Sequence, residues 1–140
     1  MLQANRSDDM GLVQRLEVFL VNEALLDRSG LERARAAADA ADKRIDRALV
    51  ELGLITQSKI NELVRTLFGV TDVDLVEAPR EALVSDQLAP AYLSTAGVLP
   101  WSIDSGLLRL AMCDPLDEFT ARAVSLRLGM PVARLRITSA

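Results

Sequence analysis

The feature that most constrains this chain is an internal repeat between Arg15 and Leu67. Its two copies open at Arg15 and Arg44, 29 positions apart, and their apolar and charged positions coincide when they are aligned. The coincident pairs are Leu16 with Ile45, Glu17 with Asp46, Leu20-Val21 with Leu49-Val50, Leu25-Leu26 with Leu54-Ile55, Ser29 with Ser58, and Leu31 with Ile60. Since one short repeat cannot bury its own apolar face, the copies are predicted to pack on each other.

Each copy has the pattern of a helix, a tight corner and a second helix. In the second copy Gly53 stands where a helix C-terminus tolerates a positive φ, and Thr56 is a candidate N-cap. Ala24 and Asp27 take these places in the first copy, and Asp8 or Asp9 is placed to cap its first helix. The predicted apolar stripes are Leu12, Val13, Leu16, Phe19 and Leu20; Ile45, Ala48, Leu49 and Leu52; and Ile60, Leu63, Val64 and Leu67. The sequence therefore predicts two αα-hairpins.

The predicted helix from Ser29 to Asp42 is rich in alanine and arginine. Alanine favours helix but supplies little apolar bulk. Such a face either packs closely on a neighbouring helix or meets a partner, and close packing is the preferred interpretation.

After Phe68 the pattern changes to short strands and helices. Residues 70–76 alternate, which is typical of an edge strand or an extended crossing segment. Ser85 can cap a helix that continues to Ala96, and Asp104-Ser105-Gly106 joins two apolar runs as a β-hairpin would. Further on, the pattern predicts a helix opened by Asp117 or Glu118 and carrying Phe119, Ala123, Leu126 and Leu128, then a third strand over residues 132–137.

These patterns predict the α+β class. A helical tandem-repeat subdomain over residues 1–68 is followed by a small α/β subdomain over residues 69–140, with a sheet of about three strands. The chain stops soon after the last predicted strand, so we expect it to be a fragment of a longer protein.

Composition excludes several kinds of function. The net charge of −4 argues against nonspecific nucleic-acid binding, which requires basic patches. No apolar run approaches the roughly 20 residues that span a bilayer, and the N-terminus lacks a signal-peptide pattern. A single cysteine cannot form an internal disulfide, which favours a reducing compartment. The expected location is cytoplasmic.

No residue pattern indicates catalysis or a metal site. The chain has no histidine, the side chain that acid–base and metal chemistry recruit most often, and no Gly-x-x-x-x-Gly-Lys-(Ser/Thr) phosphate-binding loop. Cys113 ends an apolar run and is predicted to be a buried, inert thiol. Asp114 and Asp117 are explained by turn and capping chemistry.

Several phrases, in this order and spacing, resemble the N-terminal domain of type II secretion and type IV pilus assembly ATPases, the group of general secretory pathway protein E. They are Val50-Glu-Leu-Gly-Leu-Ile-Thr-Gln57, Gly97-Val-Leu-Pro-Trp101, Gly106-Leu-Leu-Arg-Leu-Ala-Met112, Asp114-Pro-Leu-Asp117 and Leu128-Gly-Met-Pro-Val132. The resemblance runs from about Leu12 to Ile137, and the fold it implies is a helical repeat followed by a small α/β subdomain.

The resemblance implies two alternative functions. The first is docking of a cytoplasmic motor onto the cytoplasmic domain of an inner-membrane secretion platform protein; the ATPase domain, with its ATP and Mg²⁺, would then lie downstream of Ala140. Such a domain would be recruited to the cytoplasmic face of the inner membrane. The partner-binding candidates are the arginines of the alanine-rich helix, Arg28, Arg33 and Arg35.

The alternative is a cyclic di-GMP sensor, whose repeats in this family carry arginine, leucine and glycine at the opening, a corner glycine and a closing glutamine. This chain retains that motif at Arg15, Leu16, Arg44, Ile45 and Gly53. Glu17 and Asp46 replace the opening glycines, Ala24 replaces one corner glycine, and Ala38 and Leu67 replace the glutamines. Two added carboxylates repel phosphate, so no cofactor is expected here. Arg15 and Arg44 are instead predicted to lie on a solvated or ion-paired helix face.

Overall fold

A computed structural model of the chain describes residues 11–138. Within them the helices are α1 (Leu12–Asn22), α2 (Arg28–Ala41), α3 (Ile45–Glu51), α4 (Gln57–Phe68), a 3-10 helix (Leu75–Glu77), α5 (Pro90–Ala96) and α6 (Glu118–Leu128). The strands are β1 (Thr71–Val73), β2 (Val98–Asp104), β3 (Leu107–Met112) and β4 (Val132–Ile137). The α+β class predicted from the sequence is confirmed. The chain divides into two compact units, Met1–Phe68 and Gly69–Ala140.

Helices α1 to α4 form the two hairpins of the repeat. The Asp27 carboxylate accepts a hydrogen bond from the Gly30 amide at 2.6 Å, and the Thr56 hydroxyl accepts one from the Lys59 amide at 3.1 Å. Both are the N-caps expected from the sequence. Asp8 and Asp9 lie outside the described residues, and the N-cap position of α1 is Gly11. No helix of residues 11–138 is both long and apolar enough to cross a bilayer.

The alanine-rich helix α2 packs closely along one face. Gly30, Ala34 and Ala38 are buried there, and a Cβ atom on Gly30 would come within 3.0 Å of the Leu26 side chain. Small side chains therefore set the approach of this helix to its neighbours. Leu52 departs from its predicted stripe and is 46% exposed, because α3 ends at Glu51 and the chain turns away beyond it.

The corners of the two hairpins adopt the same backbone conformation with different residues. Gly53 has φ of 73° and Ala24, its equivalent in the first copy, has φ of 57°. This left-handed region costs an L-residue about 1–2 kcal/mol because its Cβ approaches the backbone. The first copy therefore carries backbone strain that the second avoids.

Exchanging the two corner residues should change stability in opposite directions. We expect Ala24→Gly to raise the free energy of unfolding by about 0.5 kcal/mol, since relief of strain exceeds the added entropy of the unfolded chain. Gly53→Ala should lower it by about 1 kcal/mol; a Cβ there meets no atom within 4 Å, so only the backbone is tested. Urea unfolding followed by far-ultraviolet circular dichroism measures both. A loss of stability in Ala24→Gly would contradict the strain.

The second unit is built on a sheet in the order β1-β4-β3-β2. β2 and β3 form the predicted antiparallel hairpin, and Ser105 and Gly106 turn between them with φ of 52° and 77°. Two positive φ values in a two-residue loop match the twist of the strands. β4 lies parallel to both β3 and β1. The sheet has four strands where about three were predicted, because Thr71–Val73 joins it as an edge strand.

Two predictions about the helices of this unit are wrong. α5 begins at Pro90, with Ala89 rather than Ser85 before it, because a proline holds the preceding residue in an extended conformation (Ala89 ψ 143°). On α6 the buried residues are Thr120, Ala121 and Val124, whereas Phe119 and Leu126 are 84% and 76% exposed. The core beneath this helix comprises Leu88, Val98, Leu108, Leu110, Met112, Ala121 and Val124.

Candidate functional site

The opening arginine of the second repeat is held by an ion pair within its own copy. Arg44 Nε lies 2.6 Å from Asp46 Oδ1, and Arg44 Nη2 lies 3.0 Å from Oδ2. Asp46 is 6% exposed although it carries a carboxylate. Two parallel hydrogen bonds between a guanidinium and a carboxylate form a strong, oriented pair. Asp46 therefore engages two of the five N–H donors of the Arg44 guanidinium.

The opening arginine of the first repeat has a different environment. The Arg15 guanidinium lies 5.0 Å from the centre of the Phe68 ring, within cation–π range. Glu17, its expected neighbour, is instead 3.2 Å from Arg35. An ion pair therefore forms at Arg44, whereas Arg15, for which a solvated or ion-paired face is predicted, is exposed and lies against Phe68. Phe68 was not anticipated, because only tertiary contacts bring the end of the second copy to the start of the first.

A shallow groove of about 300 Å³ surrounds this contact. It is lined by Arg15, Val18, Phe19, Asn22, Glu23, Leu67 and Phe68. Leu67, where the resemblance implies the second closing glutamine, has an apolar side chain. The equivalent of the first glutamine, Ala38, is 4% exposed within the helical core. Neither closing position carries a group that could hydrogen-bond a base edge.

The three arginines proposed to contact a partner are spread around α2. At about 100° per residue, Arg28 and Arg35 project from one side of the helix and Arg33 from another, about 140° from Arg28. All three are exposed, and Arg35 is the one bonded to Glu17. Ala36 and Ala40, also exposed, lie on the arc nearest Arg33. The arginines therefore flank the outer face of α2 without forming one cluster.

The acidic residues after β3 are used in a turn and a cap. The Asp117 carboxylate accepts hydrogen bonds from the Thr120 amide at 3.1 Å and the Thr120 hydroxyl at 2.7 Å, and the Asp114 carboxylate accepts one from the Leu116 amide. Arg134 donates to the Pro115 carbonyl at 2.8 Å. Burial lowers the pKa of Arg134, although Glu118, Asp117 and Asp114 oppose that shift. These carboxylates organise the loop before α6.

The prediction of a buried Cys113 thiol is wrong. β3 ends at Met112, and Cys113 is exposed just beyond it, although its amide still donates to the Gly97 carbonyl at 2.9 Å. Ala111, on the same face by alternation, is fully covered. On that face of the sheet, burial therefore ends between residues 111 and 113. An apolar run in the sequence does not indicate where burial by other elements ends.

Comparison with known proteins places this chain among the N-terminal domains of traffic ATPases. The family model of the MshEN domain matches residues 68–140. The type IV pilus assembly ATPase PilB of Myxococcus xanthus is 32% identical over 109 residues, which cover 75% of this chain and 19% of that protein. The PilB of Thermus thermophilus is 24% identical over 127 residues, covering 89% and 14%. The chain thus spans less than a fifth of these curated relatives.

Solved structures share the fold. The N-terminal domain of XpsE superposes with a TM-score of 0.64 at 24% identity, covering 92% of this chain and 90% of that one; a second crystal form gives 0.51 at 25%, covering 91% and 89%. MshE with cdg, that is, cyclic di-GMP, gives 0.62 at 22%, covering 84% and 86%. Because the family model matches just over half of its length, the chain belongs to the MshEN domain family, the N-terminal domain of type II secretion and type IV pilus traffic ATPases.

Proposed function

We propose that this chain is the docking and regulatory domain of a type II secretion ATPase. It attaches a cytoplasmic motor to the cytoplasmic domain of an inner-membrane platform protein, and is recruited in this way to the cytoplasmic face of that membrane. The catalytic work, with ATP and Mg²⁺, belongs to the protein's own downstream ATPase domain. The chain itself hydrolyses nothing. Its membership in the MshEN family and the greater length of its relatives support this arrangement.

The observation that carries docking over nucleotide sensing is the Arg44–Asp46 ion pair. A cyclic dinucleotide would have to displace a bidentate carboxylate that is already oriented and largely buried. Breaking such a pair leaves the buried Asp46 carboxylate without a compensating positive charge, which is unfavourable in free energy. The apolar Leu67 and buried Ala38 add no donor in return. The repeat therefore serves as a rigid scaffold in this proposal, and cyclic di-GMP is not its cofactor.

The docking surface is assigned to the outer face of α2. Exposed Ala36 and Ala40 give a flat strip on which another protein can lie, and Arg33 stands beside it. Arg28 and Arg35 flank the opposite side, where Arg35 already contacts Glu17. Arginine is well suited to this role because its planar guanidinium forms oriented pairs with carboxylates.

An isothermal calorimetric titration with two ligands tests the proposal. Cyclic di-GMP should give no saturating heat at micromolar concentration in moderate salt. The cytoplasmic domain of the platform protein from the same organism should bind, and Arg33→Glu with Arg35→Glu should weaken that binding about tenfold or more, as removal of interface arginines does. The matched control is Arg65→Glu, a charge reversal on the exposed side of α4.

Each outcome distinguishes the alternatives. Saturating heat with cyclic di-GMP would identify the chain as a pilus-type sensor, with Arg15 and Arg44 as ligand residues. Unchanged platform binding in the Arg33 and Arg35 variant would remove α2 from the interface. Binding to the platform protein of a pilus system alone would assign the domain to pilus assembly instead of secretion.

A further inference from the structure

The outer face of α6 has apolar side chains where a surface helix normally carries polar ones. Phe119 and Leu126 are 84% and 76% exposed, while Ala121 and Val124 on the opposite side are buried. Residues seven apart lie on nearly the same side of a helix, about 10 Å along its axis. Phe119 and Leu126 therefore form one apolar ridge, two turns long, which stands outside the described core of its own unit.

A groove beside this ridge extends the apolar surface. Its volume is about 280 Å³, and it is lined by Gln87, Leu88, Ala89, Tyr92, Ala123 and Arg127. Ala123 follows Phe119 by four residues, so the groove and the ridge adjoin on the helix surface. A ridge next to a groove is a surface into which the side chains of another helix can fit.

Two of the three charges around the ridge are positive. Arg122 lies between Phe119 and Leu126, is exposed, and makes no ion pair within residues 11–138. Arg127 donates to the Gln87 carbonyl at 3.3 Å, so a backbone oxygen and not a carboxylate is its partner. Glu118, the carboxylate on the same arc, lies 3.8 Å from Arg134. This is a local positive rim on a chain whose net charge is −4.

We infer that the ridge and groove of α6 are a docking site for an acidic amphipathic helix of a partner protein. Leucine-type side chains at helical spacing fill the groove against Tyr92 and Ala123 and cover Phe119. Glutamates or aspartates beside them pair with Arg122 and Arg127. The site lies in the second unit, on an element that the proposed α2 interface does not include, so it stands independently of that interface.

The same charges disfavour two other occupants. In an antiparallel pairing of two copies of α6 about a twofold axis, Arg122 near the middle of the ridge would face its equivalent, and like charges repel. A helix that lies on a membrane buries a long apolar face. Two large exposed side chains provide too little apolar surface for that.

A displayed library of helical peptides tests the inference. Each peptide carries a fixed leucine stripe and flanking positions that vary among glutamate, lysine and glutamine, and the purified 140-residue chain is the bait. We expect enrichment of glutamate. The enriched peptide should lose affinity about tenfold or more against the Phe119→Ala, Leu126→Ala variant, as expected when an aromatic anchor is removed. Against Arg122→Glu, Arg127→Glu the selection should switch to lysine.

Val76→Ala is the matched control, since Val76 is 86% exposed in the same unit and its truncation should leave peptide affinity unchanged. Three results would overturn the inference. They are enrichment that does not depend on the charge of the flanking positions, no enrichment of any peptide, and a peptide affinity that the Phe119 and Leu126 changes do not alter. Phe119-dependent flotation with anionic vesicles, or a Phe119-dependent dimer in analytical ultracentrifugation, would overturn it as well. None of these outcomes bears on the α2 titration, so the two proposals fail separately.

Discussion

Replacing Leu110 by alanine is expected to lower the free energy of unfolding by about 3 kcal/mol, within the range for buried leucines. Leu110 is fully buried on β3, which lies inside the sheet with strands on both sides. Its side chain belongs to the cluster that α6 covers through Ala121 and Val124. Neighbours on a paired strand cannot move inward to fill the space, so most of the cavity remains. With alanine at position 110, the buried face of α6 and the side chains beside position 110 on the sheet would both lose a packing partner.

Chemical unfolding followed by tryptophan fluorescence measures this effect. Trp101 is the only tryptophan of the chain and lies on β2, the strand paired with β3. Ile103→Ala on β2 is the matched control: its side chain is 40% exposed, and its truncation should cost less than about 1 kcal/mol. Equal losses at the two positions would mean that the assigned core is wrong.

Replacing Arg44 by alanine is expected to lower the free energy of unfolding by about 2 kcal/mol. Removal of one partner from a buried ion pair costs about 3–5 kcal/mol, because the other charge stays buried and unpaired. Asp46 is 6% exposed, but the Arg44 side chain keeps 27% of its surface in water, so part of its interaction is already screened. The expected loss is therefore smaller than for a fully buried pair.

A double-mutant cycle separates the pair from the rest of Arg44. The change Arg44→Ala with Asp46→Ala should recover most of the lost stability, since no charge is then left unpaired. Arg44→Lys should fall between, because one ammonium cannot form both hydrogen bonds. Circular dichroism of the helices reports these three variants and Asp46→Ala, the second single variant of the cycle. Additive losses in the cycle would show that Arg44 stabilises the fold by other contacts and that its donors are not committed to Asp46.

Much of the fold could be predicted because its signals are local. The caps at Asp27, Thr56 and Asp117 and the hairpin at Ser105 each depend on residues within a few positions of one another, and each copy of the repeat has its own helical periodicity. Capping hydrogen bonds and turn conformations follow from side-chain chemistry and local backbone sterics. The strand Thr71–Val73 was harder to assign, since its pairing with β4 spans more than 60 residues.

The candidate sites were less predictable. For Arg15 and Arg44 the sequence predicts a solvated or ion-paired helix face with Glu17 and Asp46 nearby. In the structure Arg44 is paired with Asp46, two residues away. Arg15 and Glu17 have different partners, because folding brings Phe68 to Arg15 and Arg35 to Glu17. These partners are 53 and 18 positions distant in the chain. No spacing rule links residues that meet only when helices pack.

The chain's order of residues was enough to establish the helical repeat, its corners and caps, and the α+β class, since periodicity and local backbone chemistry act before packing. Tertiary packing decided which of two apolar sets on α6 entered the core. Phe119 and Leu126 are larger than Ala121 and Val124, yet they face water, while the smaller pair lies against β3. The size of an apolar side chain determines how much surface it can bury. The position of the sheet beneath the helix determines which helix face is buried.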